Sequence, residues 1–329
     1  MIYVKSINRI LKPRITHKAV VLDLFAGCGG LSLGFEAAGF KTIGFEMNPD
    51  AAQTYRTNLI GECFTEKLDL NYKYPRADIV IGGPPCQPFS VGGNQHGIED
   101  PRNGFPIFID AIRKVKPKIF LFENVRGLLY ANKWYFEIVI EEFKDLGYHI
   151  EFELLNAVNY GVPQNRERLF LIGHNSAFTF PKKNKKKLTV SDAISDMMSV
   201  APKESKFLTD SQNTYIANYE RASKCINPRD LYLDRPARTL TCRNLSAATG
   251  DMQRVKLPDG RRRRLLIREA ARLQSFPDNF LFTGTETSQY YQIGNAVPPL
   301  MAYKMAIAVK ECYAKKRIPN NQLSLVLNN

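Results

Sequence analysis

From residue 19 onward, the apolar positions of the 329-residue chain fall into short, nearly continuous β-prone runs separated by stretches of helical period. This rhythm predicts a parallel sheet with helices on its faces. AVVLDLF (19–25) reads as a first strand, LSLGFEAAGF (31–40) as a helix closing near Gly39, and KTIGFE (41–46) as a second strand. NPDAAQTYRTN (48–58) has Asn then Pro at its head, a helix-start signal. ADIVIGG (77–83), FPIFIDAIRKV (105–115), KIFLFENV (118–125) and WYFEIVIEEFKDLG (134–147) continue as strand, helix, strand and helix. YHIEFELLNA (148–157) and ERLFLIG (167–173), joined by the turn-rich YGVPQN, read as a hairpin.

Near residue 176 the rhythm stops, and to about 265 the chain is polar, basic and weakly periodic, with short β-like pieces such as ARTLTCR (237–243). IREAARLQSF (267–276) reads as a helix. IGNAVPPLMAYKMAIAVKECYAKK (293–316) reads as a loop followed by an apolar helix that packs back on the first part. These breaks predict a larger α/β domain over residues 1–178 and 286–329 and a smaller, mostly irregular or β domain over 179–285.

Charge sharpens the division. Net charge is +14, and residues 181–275 hold 21 Lys and Arg against 10 Asp and Glu, so +11 of the +14 sits there. Phosphate neutralisation supplies most non-specific nucleic-acid affinity, so a basic domain beside a near-neutral one points to a polyanion. Taken singly, KKNKKK (182–187) and RRRR (261–264) are as readily solvated loops; the regional excess is the stronger sign. No run of 18 apolar residues occurs, and the leader MIYVKSINRILKPRITHK mixes Lys and Arg with short apolar runs. A membrane span and a secretory leader therefore do not fit, and a cytoplasmic protein is expected. The six cysteines lack CxxC spacing and the four histidines are dispersed, which argues against disulfides and zinc; no metal is expected.

Chemistry concentrates at the predicted strand ends. In DLFAGCGGLSLGF (23–35), Gly27, Gly29 and Gly30 allow a tight turn and close approach of a ligand at the head of a helix. Ser32 stands where the dinucleotide fingerprint needs Gly, and no Gly-Lys-Ser/Thr follows, so nicotinamide and P-loop readings lose weight. Glu46 closes the second strand, where a carboxylate can accept both hydroxyls of a ribose. Asp69 falls where a third strand would end and can accept from an adenine amino group. Cys86, in GGPPCQPFS (82–90), follows a strand directly, and Pro84 and Pro85 stiffen the turn that presents it, as suits a nucleophile. The other thiols, Cys28, Cys63, Cys225, Cys242 and Cys312, read as small buried hydrophobes. Glu123 follows the apolar IFLF, where desolvation favours the acid form that a proton donor requires. Arg166 and Arg168 in QNRER (164–168) are two apart, so on an extended backbone both leave one face and could clamp a phosphate or a base carbonyl.

DLFAGCGG, GGPPCQPFS, ENV, QNRER, REAARLQSFPDNF and GNAVPP stand in one order over residues 19 to about 312. In that order the chain resembles a DNA (cytosine-5)-methyltransferase of the bacterial restriction-modification type. The resemblance implies a Rossmann-like mixed seven-stranded sheet with a basic target-recognition domain. It implies S-adenosylmethionine on Phe25, Gly27, Gly29, Gly30, Glu46, Asp69, Asn295 and Val297, with Cys28, Leu31, Met47 and Pro84 beside them. It implies that the Cys86 thiolate adds to carbon 6 of cytosine while Glu123 protonates ring nitrogen 3. Carbon 5 then attacks the sulfonium methyl. Arg168 would grip the base carbonyl, Asn124 would brace the pocket, and the base must leave the duplex. SVGGNQHGIEDPRN (90–103) resembles the family's mobile loop, with Gln87 and Ser90 at its head expected on double-stranded DNA. Arg238 and Arg243 are expected to read base edges, and Arg261 and the run it opens to grip phosphates. A monomer paired in function with a cognate restriction endonuclease is the expected partnership. Three alternatives stay open. An amino-group methyltransferase is disfavoured by Cys86, a transfer-RNA cytosine methyltransferase shares the chemistry, and a catalytically inactive relative would bind DNA only.

Overall fold

The computed structural model describes residues 1–85, 103–199, 201–203, 205–222, 224, 229–246 and 251–315. After helix α1 (Ile2–Ile10), strands and helices alternate: β1 (Val20–Leu24), α2 (Gly30–Ala37), β2 (Lys41–Glu46), α3 (Pro49–Asn58), β3 (Glu62–Thr65) and β4 (Ile79–Gly82). They continue as α4 (Phe105–Val115), β5 (Ile119–Val125), α5 (Gly127–Tyr130), α6 (Lys133–Asp145), β6 (His149–Asn156), a 3-10 turn (Ala157–Tyr160) and β7 (Glu167–His174). One seven-stranded sheet results, in the order β3-β2-β1-β4-β5-β7-β6. β1 to β5 run parallel, while β7 is antiparallel to both β5 and β6. The expected mixed α/β sheet and its terminal hairpin are borne out.

Period-two alternation explains why the strands are apolar on both faces. Val21, Ile79, Ile81, Ile119 and Leu121 face a cluster with α1, α2 and the last helix. Leu22, Leu24, Val80, Phe120 and Phe122 face the aromatic side chains of α4 and α6. α3 begins as read: Asn48 Oδ1 accepts from Ala51 N at 3.0 Å, and Pro49 follows.

The basic region holds α7 (Val190–Ile194), α8 (Asp210–Ala222), α9 (Cys242–Ser246) and a hairpin of β8 (Arg254–Lys256) and β9 (Arg262–Arg264). The 13-residue α8 lies inside the stretch that reads as weakly periodic, because only Ile216 of that helix is buried. α10 (Ile267–Leu273), α11 (Glu286–Asn295) and α12 (Pro299–Ala314) complete the chain. α10 ends before the expected 276, since Ser275 turns to φ 69° and Pro277 follows. Val190, Ile194, Leu240, Leu245 and Ala270 belong to the same apolar cluster as α2 and α12, so the basic region is seated on the sheet's own core. α12 crosses α2 so closely that a Cβ on Gly34 would meet the backbone of Ala302 and Tyr303. The leader is docked: Tyr3, Val4 and Ile7 are buried, Tyr3 Oη donates to Arg272 O at 2.9 Å, and Asn8 Oδ1 accepts from Asp278 N at 2.8 Å. No helix among the described residues is long and apolar enough to cross a membrane.

Candidate active site

The chain leaves β1 through a turn in which Phe25, Gly27 and Gly29 have φ of 61°, 56° and 86°. Gly29 is required twice over, since a Cβ there would also lie 2.8 Å from the Tyr55 ring. Beside Gly27 there is open space, with nothing within 4 Å of where a Cβ would stand. Glu46 braces this turn: Oε2 accepts from Gly27 N at 2.8 Å and Oε1 from Asn48 N at 2.7 Å. A carboxylate has about four acceptor positions, so lone pairs remain for a ligand. Val297 closes the other side, its carbonyl 2.5 Å from the position of a Gly30 Cβ, and Asn295 ends α11 exposed beside it in sequence. Cys28 and Leu31 are buried beneath, and Met47 is 67% exposed. Asp69 differs from its expected place. β3 stops at Thr65, and Asp69 lies exposed in the following loop, accepting from Asn71 N at 2.8 Å.

Beneath the turn runs a buried polar chain not expected from the sequence. Asp23 Oδ2 is 2.6 Å from Ser32 Oγ, which is 3.0 Å from Tyr55 Oη; Tyr55 Oη is 2.7 Å from Thr42 Oγ1, which is 2.6 Å from Glu36 Oε1. These oxygen–oxygen contacts outnumber the hydroxyl protons of Ser32, Tyr55 and Thr42 by one, so one carboxyl must contribute a proton. Glu36 also accepts from Ile60 N and Gly61 N, which favours its charged form. Burial raises the pKa of both carboxyls, that of Asp23, 1% exposed, to about 7 against the Ser32 hydrogen bond, so Asp23 takes up a proton as pH falls through 7. The available signal was an acid inside an apolar strand.

β4 ends at Gly82, ahead of Gly83, Pro84 and Pro85. Cys86, Gln87, Ser90 and all but the last residue of the 90–103 segment lie outside the described residues. The ends of that excursion are tied, Gly104 N donating to Pro85 O at 2.9 Å and Asn103 Nδ2 to Tyr135 Oη at 2.7 Å. Asn124 Nδ2 donates to Pro84 O at 2.9 Å, so β5 holds the proline turn directly. Its neighbour Glu123 is 8% exposed, and Oε2 lies 3.7 Å from the position a Cβ on Gly83 would take. Oε1 sits 2.9 Å from Arg168 Nε yet receives no aligned hydrogen bond. Burial raises the Glu123 pKa, opposed by Arg168 and then Arg166. Arginine stays protonated in proteins, so the carboxyl is the member of this pair that exchanges a proton. Burial also pushes the thiols of Cys28 and Cys63 up to about 12, which makes them poor nucleophiles; Cys312 is raised likewise, Cys242 is half-buried and Cys225 lies outside the described residues.

Arg166 does not pair with Arg168 as a clamp. It precedes β7 and is 1% exposed; Nη1 donates to Leu240 O (2.6 Å), and Nη2 to Gly294 O and Ala296 O (both 3.1 Å). Gln164 extends the same node, donating to Gln274 Oε1 at 2.6 Å and to Leu273 O at 3.2 Å while accepting from Leu240 N at 2.9 Å. Gln274 Nε2 in turn donates to Ala296 O at 2.7 Å. One buried node thus ties the β6–β7 loop to residue 240, to the end of α10 and to the segment that closes the glycine turn.

The model of C-5 cytosine-specific DNA methylases matches residues 19–311. The chain belongs to that family. It is 57% identical over 303 residues to the Type II methyltransferase M.AplI of Arthrospira platensis, covering 91% of this chain and 88% of that one. It is 34% identical over 328 residues to the Type II methyltransferase M.FnuDI of Fusobacterium nucleatum, covering 90% and 95%. Among solved structures, Entamoeba histolytica methyltransferase EhMeth shares the fold at a TM-score of 0.69 and 17% identity, over 90% of this chain and 99% of that one.

Within this DNA methylase the arginine run departs from the expected role of gripping phosphate. Arg263 is fully buried, Nη1 and Nη2 donating to Glu269 Oε2 and Oε1 at 2.8 and 2.7 Å. Arg262 pairs with Asp230 at 3.0 Å, and the buried Arg254 opposite pairs with Glu220 at 2.9 Å and Asp230 at 3.1 Å. Only Arg261 is exposed, stacked over Phe207 and paired with Asp259. Both faces of the hairpin are engaged, Arg263 on one and Arg254 with Arg262 on the other, and the fork geometry of guanidinium suits the carboxylates they meet. Arg238 and Arg243 are exposed, as a base reader must be. Arg238 lies 3.4 Å from Asp251 Oδ1, and its neighbours on either side bond to Asn165: Asn165 N donates to Ala237 O and Thr239 Oγ1 to Asn165 O.

Proposed function

We propose that this DNA methylase transfers a methyl group to carbon 5 of one cytosine within a short double-stranded sequence, with S-adenosylmethionine as donor. The observation that carries the reading is Glu123, a buried carboxyl with raised pKa held 2.9 Å from Arg168, beside the Gly83 to Pro85 turn that leads directly into Cys86.

The residues around the glycine turn fit the donor. The turn leaves open space at Gly27, Glu46 keeps acceptor capacity for ribose hydroxyls, and Val297 lies against Gly30, with the exposed Asn295 two residues before it. Phe25, Met47, Pro84 and the loop acid Asp69 complete this set. Bound there, S-adenosylmethionine supplies an electrophilic methyl group. The chain does the rest. The Cys86 thiolate adds to carbon 6 of a cytosine rotated out of the duplex, since neither face of a stacked base admits this attack. Glu123 delivers a proton to ring nitrogen 3, leaving carbon 5 electron-rich enough to accept the methyl group. Arg168, charged and 2.9 Å from Glu123, orients that carboxyl and offers N–H groups to the base carbonyl. Asn124 fixes the turn carrying the nucleophile. A solvent base takes the carbon-5 proton as the carbon–sulfur bond to Cys86 breaks, and ring nitrogen 3 returns its proton to Glu123, so aromaticity is restored. Arg238 and Arg243 are the base-edge readers in this scheme, and the enzyme is the modification half of a restriction-modification pair.

The test is to incubate the protein with mixed-sequence duplex DNA and S-adenosylmethionine and to map 5-methylcytosine at base resolution, with Cys86→Ala as control. Methylation at one short motif, absent from the control, is expected. Methylation by Cys86→Ala at the parental rate sinks the mechanism, and methylation of transfer RNA but no DNA transfers the chemistry to that substrate.

A further inference from the structure

With the arginines of the 261–264 run largely taken up by carboxylates, the basic surface must lie elsewhere. Residues 182–187 are all exposed. Lys183 pairs with Glu153 at 3.4 Å; among the described residues Lys182, Lys185, Lys186 and Lys187 form no ion pair. Yet the tract is anchored. Phe178 is buried and meets Phe180 edge-on at 5.0 Å, and Asn184 N donates to Asn159 O at 2.7 Å. At the far end Val190 N donates to Arg235 O at 2.9 Å. Like charges held side by side repel, and a protein has no reason of stability to hold them there.

The anchor locates the tract. Asn159 follows β6, which ends where β7 begins, Asn156 opposite Glu167, while Val125 at the end of β5 stands opposite Arg168. The tract therefore lies on the sheet edge that carries Glu123 and Arg168. Two strand spacings, about 10 Å, separate β5 from β6. That is about three base-pair steps along a duplex strand. The other sheet edge has exposed lysines of its own at the strand starts, Lys18, Lys41 and Lys116.

We propose that Lys182–Lys187 is a phosphate-gripping rail for the duplex flanking the target base, beyond the base-reading residues and separate from them. The inference rests on the functional reading above. Ammonium groups are compact, strongly hydrated charges, suited to backbone phosphates rather than to base edges.

The test measures binding of a target-containing duplex against salt for the wild type and for a variant with Lys182, Lys185, Lys186 and Lys187→Gln. A control carries Lys18, Lys41 and Lys116→Gln. Each phosphate contact contributes about 0.9 to the slope of log affinity against log salt, so the rail variant is expected to lose up to about 3.6. The control should keep the parental slope, and all three proteins should melt alike. Trimming the duplex on one flank should erase the difference between wild type and rail variant. An unchanged slope in the rail variant, with the wild type binding and methylating DNA, sinks the rail and leaves the functional reading intact. An equal loss per lysine in the control makes the effect one of bulk charge and also overturns the rail. A wild type with no salt-dependent DNA binding overturns both.

Discussion

Arg263→Ala separates a buried scaffold from a DNA-gripping run. Arg263 and Glu269 are both fully buried and joined by two hydrogen bonds, and Arg263 also donates to Met197 O at 3.1 Å and Arg264 O at 3.0 Å. Removing the guanidinium strands a carboxylate in the core, a change that costs about 3–5 kcal/mol. Unfolding entropy of about 2.1 cal/mol/K per residue over the chain amounts to about 0.7 kcal/mol/K, so the melting temperature should fall by about 4–7 °C. Arg261→Ala, which removes an exposed pair, should leave it nearly unchanged. Replacing the pair together, Arg263→Met with Glu269→Leu, should recover most of the loss. Recovery is incomplete because Glu269 Oε2 also accepts from Leu266 N at 2.8 Å. Differential scanning calorimetry and salt titration of DNA binding read the two effects separately. If Arg263→Ala melts like the wild type and flattens the salt slope, Arg263 faces DNA and the buried placement is refuted.

Glu123→Gln should slow methyl transfer in single-turnover assays by roughly 10²- to 10⁴-fold, with donor affinity by calorimetry little changed; a loss confined to donor binding would remove Glu123 from the chemistry. Asp23 gives a pH signature. Its folded pKa, about 7, lies above its ordinary 3.8, so the folded protein binds the extra proton between these values. Its contribution is therefore fully present below about pH 4 and is lost as pH rises toward 7, by up to about 1.4 kcal/mol per pH unit. Asp23→Asn, whose amide can donate to Ser32 in place of the acid, should flatten that slope in urea midpoints measured from about pH 5 to pH 8. Parallel curves for the two proteins would return the missing proton of the buried chain to Glu36.

The strands, the terminal hairpin and the start of α3 were legible because each rests on local pattern, buried β runs and Asn48 before Pro49, while the mixed seven-stranded sheet was implied by the family resemblance. Glu123 was legible for the same reason, as an acid closing an apolar strand. What the sequence hid depends on partners far along the chain. Arg166 reads like Arg168 by spacing, but its three carbonyl acceptors come from residues 240, 294 and 296. The RRRR run reads as surface because one of its acids, Asp230, lies 32 residues away, and the other, Glu269, sits six residues on in α10, where only the fold turns it back onto Arg263. α8 was missed because a helix with one buried residue writes almost no period into its sequence. The leader's place, on Arg272 and Asp278, likewise rests on contacts spanning most of the chain.

Arginine and lysine are divided in this basic region according to their chemistry, and the division says how binding and folding are kept apart. A guanidinium is weakly hydrated and planar, so it can enter the interior when a carboxylate or a set of carbonyls meets its fork. Arg166, Arg254 and Arg263 do this, each joining segments remote in sequence. An ammonium holds its water strongly and stays outside, as the lysines of 182–187 do. Net charge therefore overstates the surface available to DNA. Arg166, from the β6–β7 loop, fastens the basic region to the sheet edge where Glu123 and Arg168 stand, Arg254 and Arg263 join segments within that region, and the lysines of 182–187 stay exposed. Arg166 bonds to both Leu240 O and Ala296 O, and Gln164 accepts from Leu240 N and reaches Ala296 O through Gln274, so on the proposed reading the segment offered as base reader and the wall offered for the donor share one buried node. If that reading and the lysine rail both hold, a duplex that seats residues 238–240 poorly should slow methyl transfer more than it weakens binding, and single-turnover rates set against binding constants on variant duplexes check this; equal losses in both would refute it.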